Sequence, residues 1–261
     1  MKFLWSRLNK SWLLLALFVG LSLSFLQIIN GVSRVTPFDS PYTKWLGIDP
    51  FTFLPIVFFI LLPLIASIPA SVLLKDDFTN GLFYKLKMEK SVKHILYEYV
   101  NFSFIAGFFV IAVSLLVNFI TWFMILPNIR PDNLLNKNIA ALNLDVLFVS
   151  LYYAHPFIHG ILSILFASAW SGIFSVIVTV SSLWLKNRFV AMCSGLILQI
   201  GVMLINKILP LANFISYSPA DFLREEANSN VSLLVVGIVT MIAVLYCMIM
   251  FHLDEKRLVE L

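Results

Sequence analysis

The sequence predicts an all-α polytopic membrane protein with six transmembrane helices, and three observations lead to this prediction. The chain of 261 residues is 60% hydrophobic and only 12% charged, and its mean hydropathy is +0.93. Soluble proteins average about 45–50% apolar and about 25% charged residues. Six stretches of at least 18 residues contain no Asp, Glu, Lys or Arg, namely 12–29, 51–74, 100–126, 158–185, 189–206 and 231–251. These values exclude a water-soluble globule.

Each of the six stretches is long enough to cross a membrane. About 20 helical residues, each rising about 1.5 Å, span roughly 30 Å of hydrocarbon. The spans form a single predicted transmembrane domain, residues 1–261, and their connections are too short for a soluble catalytic domain. The second span contains Pro55, Pro63 and Pro69, so we expect it to be kinked, with the freed carbonyls bonded by neighbours or water.

The distribution of basic residues predicts the orientation of the chain. With the N-terminus inside, the inner segments carry 12 of the 18 Lys and Arg residues, namely Lys2, Arg7, Lys10, Lys75, Lys85, Lys87, Lys90, Lys93, Lys186, Arg188, Lys256 and Arg257. Both termini are therefore predicted to be cytoplasmic, with residues 1–11 forming a short helix on the inner membrane surface. A nucleic-acid partner is not expected, because the sequence has no soluble module to carry a binding surface.

The polar residues of the spans do not suggest catalysis. Asn118, Gln199 and Asn206 are the strongest polar groups, and we expect each to form a hydrogen bond between helices. His155 and His159 have the spacing of one helix face, but no nearby acid or cysteine accompanies them, so a metal site is not expected. The sequence contains no phosphate-binding loop, nucleophile elbow or zinc-protease motif. We therefore expect no enzymatic activity, no catalytic residue and no bound cofactor.

One face of the fourth span consists of small residues. Gly160, Ser163, Ala167 and Ser171 lie three or four positions apart, which makes this face flat enough for close helix contact. Two interpretations remain open at this point, packing within the chain and contact with a second subunit.

The inner connection 75–99 mixes acids, bases and aromatic residues. Asp76 and Asp77 precede Phe78, and Gly81 permits a sharp turn of the backbone before Phe83 and Tyr84. Such a segment is typical of a solvated charge run beside lipid headgroups, and equally of a helix that docks another protein. The sequence in this segment leaves both interpretations open.

The layout of this connection resembles the membrane subunits of type-2 ATP-binding-cassette exporters. The matching residues are the acidic pair, the glycine and the basic stretch that contains a serine, namely Asp76, Asp77, Phe78, Gly81, Ser91, Lys93 and Ile95. The sequence departs from the pattern at Glu89-Lys90, where a proline is often found, and at Glu98, where a lysine is common. The resemblance implies a coupling helix that seats in a separate ATPase, with Asp76, Asp77, Phe78, Gly81, Phe83 and Tyr84 as coupling residues.

The same resemblance implies the partners and the location of the chain. A second copy or a paralogue would pair with it in the membrane lipid of a bacterial cell, and ATP and Mg would be bound by the cytoplasmic ATPase subunit. The outer segment 210–230 would cap the translocation path with short helices, and its predicted gate residues are Phe214, Tyr217, Asp221 and Phe222. An ordinary amphipathic loop is the alternative for this segment, which also contains the acids Glu225 and Glu226.

The cargo is not specified by the sequence. Small permeases of this family export amphipathic peptides or bacteriocin-like toxins, which gives a producer self-immunity, and others export drugs or lipids. We therefore expect export of an amphipathic peptide or toxin first, and of a lipophilic compound second. The alternative function is a non-transporting membrane scaffold or sensor that docks a cytoplasmic partner through residues 75–99.

Overall fold

The computed structural model describes residues 2–8, 10–37, 39–49, 52–132, 147–225 and 230–260 of a helical protein. In order, its helices are α1 Lys2–Arg7, α2 Lys10–Val32, α3 Pro41–Lys44, α4 Leu54–Ser67, α5 Leu73–Thr79, α6 Leu82–Glu89, α7 Val92–Ile125, α8 Val149–Ala154, α9 Pro156–Ser182, α10 Arg188–Ile208, α11 Pro219–Leu223 and α12 Leu233–Glu260. The described residues form no β-strand, apart from one isolated bridge between Ile215 and Asn230. The all-α prediction is confirmed.

Five helices are long and apolar enough to cross a membrane, namely α2, α7, α9, α10 and α12. The shortest of them, α10, has 21 residues, which at about 1.5 Å per residue gives a helix about as long as the hydrocarbon core is thick. The prediction of six spanning helices is thus confirmed for five.

The second apolar stretch forms a shorter helix than its composition predicts. Helix α4 has 14 residues and ends at Ser67, which corresponds to only about 21 Å of helix. Residues 68–72 form turns before α5 begins. Pro69 contributes to the interruption, because it has no N–H to donate to a carbonyl one turn earlier. The sequence predicted a kinked span over 51–74; the described part of it is a helix of 14 residues followed by turns, and residue 51 itself lies outside the described residues.

The helices alternate between two ends of the bundle, which we name from the predicted orientation. The inner end holds α1, α5, α6 and the 183–187 connection, and the outer end holds residues 33–37, 39–49, 52–53 and 209–225. At the inner end Trp184 donates to Asp254 over 2.7 Å, and at the outer end Gln27 donates to the Lys44 carbonyl over 2.8 Å. The chain thus passes from the outer to the inner end through α4 and the turns that follow it.

The centre of the bundle is the contact between α7 and α9, and small residues allow it. The Ser171 hydroxyl donates to the Gly107 carbonyl over 3.0 Å. A Cβ atom at Gly160 would lie 2.7 Å from the ring of Phe119, so only glycine fits this contact. Ala167 is also buried. The small-residue face of the fourth span therefore packs against the chain itself.

Two of the three strongest polar residues of the spans form the expected hydrogen bonds between helices. Asn118 on α7 donates to the side chain of Gln27 on α2 over 2.9 Å, and Gln199 donates to the Phe59 carbonyl over 2.6 Å. Asn206 donates to Ser216 in the outer segment over 2.8 Å. Two of these bonds join helices, and the third fastens a helix to its following connection.

Candidate functional site

The inner connection folds into two short helices that meet at a left-handed glycine. Gly81 has φ +75° and ψ 2° and lies between α5 and α6. A side chain disfavours this backbone conformation, so the sharp turn predicted from the sequence is present and needs glycine. Ser91 occupies the position before α7, but its side chain makes no capping hydrogen bond. We call residues 75–90 the inner segment.

The acidic pair of the inner segment, Asp76 and Asp77, forms ion pairs within the protein. Asp77 is fully buried, with Arg7 of α1 at 2.6 Å and the Tyr99 hydroxyl of α7 at 2.5 Å. Asp76 pairs with Arg188 at the start of α10 at 3.1 Å. Burial raises the pKa of the Asp76 carboxyl, and the Arg188 guanidinium opposes this shift. The acids therefore fasten the inner segment to α1, α7 and α10, and the buried Asp77 is not presented to a partner.

Two lysines of the inner segment bind the carboxyl ends of other helices. Lys75 donates to the carbonyls of Ser182, over 3.2 Å, and Leu185. Lys87 donates to the Leu258 carbonyl at the end of α12, over 2.9 Å. The last carbonyls of a helix have no partner within it and carry partial negative charge, which a lysine there neutralises. Burial lowers the pKa of Lys75.

The aromatic residues of the inner segment divide into a buried and an exposed set. Phe83 is buried, and its ring centroid lies 6.1 Å from that of Phe78. Tyr84 stacks at 5.7 Å from Phe78 and keeps 39% of its surface exposed. Met88, one turn further along α6, is 87% exposed. The exposed face of α6 therefore carries Tyr84 and Met88, whereas Phe83 belongs to the core.

Sequence reasoning missed the partners of the inner segment. Arg7, Tyr99 and Arg188 complete the inner network, and Met88 completes its exposed face. The position of Arg7 on the polar side of a short basic helix was a usable signal. Nothing in the local sequence indicates that Tyr99 faces an acid.

Comparisons with family models, with curated proteins and with solved structures find no match to this chain.

The predicted outer gate residues lie on different surfaces of the outer segment. Phe214 is 75% exposed, whereas Phe222 is buried against Trp170, with ring centroids 5.4 Å apart. Asp221 accepts a hydrogen bond from the Ser216 hydroxyl over 2.7 Å, and the Tyr217 hydroxyl donates to the Leu209 carbonyl over 3.2 Å. Asn206 is a shared neighbour of Tyr217 and Asp221, whereas Phe214 and Phe222 differ in burial. Glu226 lies outside the described residues.

The two histidines at the start of α9 do not share a helix face. Helix α9 begins at Pro156, so His155 precedes it and is exposed, while His159 is buried. The His159 ring bonds the Leu147 carbonyl through Nε2 over 2.9 Å. Within the described ranges, no group of three or more His, Cys, Asp or Glu side chains could hold a metal ion.

Proposed function

We propose that this chain is the permease subunit of an ATP-driven exporter that moves an amphipathic peptide, a bacteriocin-like toxin or a lipophilic compound out of a bacterial cell. In this proposal the chain crosses the cell membrane six times with both termini inside, and α4 with its following turns forms the second crossing. ATP and Mg are bound by a separate cytoplasmic ATPase, and a second copy or a paralogue completes the pair.

One observation supports this proposal most strongly, namely the attachment of the inner segment to the inner ends of several helices. Asp77 holds α1 and α7, Asp76 holds the start of α10, and Lys75 and Lys87 hold the ends of α9 and α12. A force on the exposed face of α6 would therefore reach five helices through short polar contacts. Such an element is suited to transmit a movement of a docked ATPase into the membrane.

The exposed face of α6 is the proposed docking surface. Tyr84 and Met88 stand one turn apart on it, and an aromatic and a flexible thioether are typical anchors at protein interfaces. The buried Phe83 would contribute to stability, because removing a buried Phe side chain costs about 3–5 kcal/mol. Docking and folding thus depend on different aromatic residues of the same helix.

The proposal is tested by affinity purification of the tagged chain from membranes of its native cell. We expect it to retain a protein with a phosphate-binding loop and an ATP hydrolysis activity that the chain alone lacks. Tyr84→Ala and Met88→Ala should each weaken this association about 5- to 150-fold, the range for interface anchors, and export should fall in parallel. Met124→Ala, which removes an 82% exposed methionine near the end of α7, is the matched control.

Three results would contradict the proposal. The first is ATP hydrolysis by the chain alone, and the second is normal ATPase binding and export by both α6 variants. The third is retention of a partner without ATP-dependent export, which would favour the scaffold or sensor function instead.

A further inference from the structure

A large apolar groove runs along the side of the bundle between α9 and α12. It has a volume of about 840 Å³, and its walls include Leu162, Phe166, Gly237, Met241 and Leu245. Most of α12 is exposed, so the groove is open along this helix. We call this space the lateral groove.

At its outer end the lateral groove meets a small polar cavity of about 40 Å³. The two spaces have Leu147, Phe148, Leu162 and Phe166 in common. The polar side chains that line the small cavity are His159, Ser163 and Glu225. Its volume is sufficient for one water-sized group. We call it the head cavity.

Glu225 is buried in the head cavity with one carboxylate oxygen unsatisfied. Its Oε1 atom accepts a hydrogen bond from the Ser163 hydroxyl, and its backbone N–H donates to the Gly47 carbonyl over 3.0 Å. Among the described residues, its Oε2 atom has no hydrogen-bond partner, and it lies 3.7 Å from Nδ1 of His159. Burial raises the pKa of the Glu225 carboxyl, and His159 and the Ser163 hydroxyl oppose this shift.

The hydrogen bond of His159 determines what faces Glu225. Its Nε2 atom lies 2.9 Å from the Leu147 carbonyl, which can only accept, so Nε2 carries the hydrogen. In a neutral imidazole Nδ1 then presents a lone pair, as does Oε2 of Glu225. Two buried acceptors 3.7 Å apart require a proton or another positively charged donor between or beside them.

We propose that the lateral groove and the head cavity bind a lipophilic amine, with the apolar body in the groove and the ammonium group beside Oε2 of Glu225. While the His159 imidazole is neutral, an ammonium supplies the donors and the positive charge that the two acceptors lack, and it is about the size of the cavity. The proposal concerns binding by this chain itself and does not depend on a partner ATPase.

The lining favours a simple amine over a phospholipid. Among the described residues that line the two spaces, none is Lys or Arg. The phosphate of a zwitterionic lipid would therefore have no cation to pair with beside the buried carboxylate. An anionic amphiphile would be repelled by the Glu225 carboxylate, and it too would find no cation in the lining.

The test measures equilibrium binding of radiolabelled dodecylamine to the full chain in phosphatidylcholine nanodiscs, with binding to empty nanodiscs subtracted. We expect saturable binding that dodecanol and dodecanoate do not displace. Glu225→Gln should weaken it about tenfold or more, the range for a lost charge-assisted hydrogen bond. The glutamine amide can donate to Nδ1 of His159, so this variant should fold normally. Glu255→Gln, at the inner end of α12, is the control for charge.

A pair of glycine variants tests the groove. A Cβ atom added at Gly237, which lines the groove, or at Gly201 on α10 would meet no atom within 4 Å. Gly237→Leu should therefore fill the groove and abolish saturable binding, whereas Gly201→Leu should leave it unchanged.

Several outcomes would overturn the proposal. These are binding no greater than to empty nanodiscs, unchanged binding by Glu225→Gln or by Gly237→Leu, and equal displacement by dodecanol. A loss of dodecylamine binding in nanodiscs of phosphatidylethanolamine would show that the lipid headgroup competes for the site. It would overturn the preference for a simple amine. Failure of these binding tests would leave the docking of an ATPase on α6 untouched.

Discussion

Gln199 compensates for a proline in the middle of α4. A residue at position 63 would ordinarily donate its N–H to the Phe59 carbonyl, but Pro63 has no N–H. The Gln199 side chain donates to that carbonyl over 2.6 Å and to the Ile60 carbonyl over 3.0 Å. The sequence predicted that neighbours or water would satisfy the freed carbonyls, and the structure identifies the neighbour.

Gln199→Leu should therefore destabilise the protein by about 1–2 kcal/mol, because it leaves a buried carbonyl without a donor. Pro63→Ala restores the backbone N–H, so the same Gln199 change should cost less in that background. The measurement is the unfolding free energy of all four proteins of the double-mutant cycle in detergent micelles. If the two substitutions change the unfolding free energy additively, the Gln199 side chain does not compensate for the N–H that Pro63 lacks.

Asp77 shows how far the role of one residue depends on its surroundings. The sequence pattern placed Asp77 with Asp76 on a docking surface, yet it is buried between Arg7 and Tyr99. A buried carboxylate requires such partners, because desolvation of a charge is costly. We therefore interpret the acidic pair as the attachment of the inner segment, and α6 as its contact face.

At the level of elements, the inner segment depends on its glycine junction. Gly81 lets α6 begin directly after α5, so that Lys87 reaches the end of α12 while Asp76 and Asp77 remain in their ion pairs. The junction has open space around it, since no atom lies within 4 Å of an added Cβ at Gly81. Glycine is therefore needed at this junction for its left-handed backbone, and not because neighbouring atoms exclude a side chain.

Gly81→Ala should destabilise the protein by about 1–2 kcal/mol, the cost of a left-handed conformation for a residue with a side chain. Gly201→Ala is the matched control, because Gly201 also has open space but lies in the regular helix α10. It should stabilise the protein by up to about 1 kcal/mol. Thermal unfolding of both variants checks the two opposite signs. Equal effects would indicate that the left-handed backbone at Gly81 is not required.

At the level of the whole molecule, contacts among the described residues join connections that are far apart in sequence. Trp184 and Asp254 meet at one end, and Gly47 and Glu225 meet at the other. The side of the membrane on which each end lies is a separate question, which thiol labelling can answer.

Single cysteines should react according to the predicted orientation, in a background without the free Cys193 and Cys247. A membrane-impermeant thiol reagent added to intact cells should label the exposed positions Val35→Cys and Leu211→Cys at the outer end. Thr79→Cys in the inner segment should react only after the cells are permeabilised. Labelling of Thr79→Cys from outside would contradict the orientation and, with it, the docking of an ATPase on α6.

The sequence by itself determined the class of the protein, five of its spanning helices and the backbone at Gly81. These properties are local. The length of an apolar stretch determines whether it can span a membrane, and the absence of a Cβ atom permits a left-handed backbone, wherever the segment lies in the fold. The prolines also signalled a disturbed second span, although the end of α4 at Ser67 was not predicted.

Only the tertiary structure decided which polar residues are buried and what they contact. Asp77 meets Arg7 and Glu225 meets His159 because helices far apart in sequence pack side by side. The free energy of a charge depends on the dielectric and the partners around it, and helix packing sets both. For that reason an acidic pair that looked exposed in the sequence proved to anchor the inner segment, and the head cavity beside Glu225 had no signal in the sequence at all.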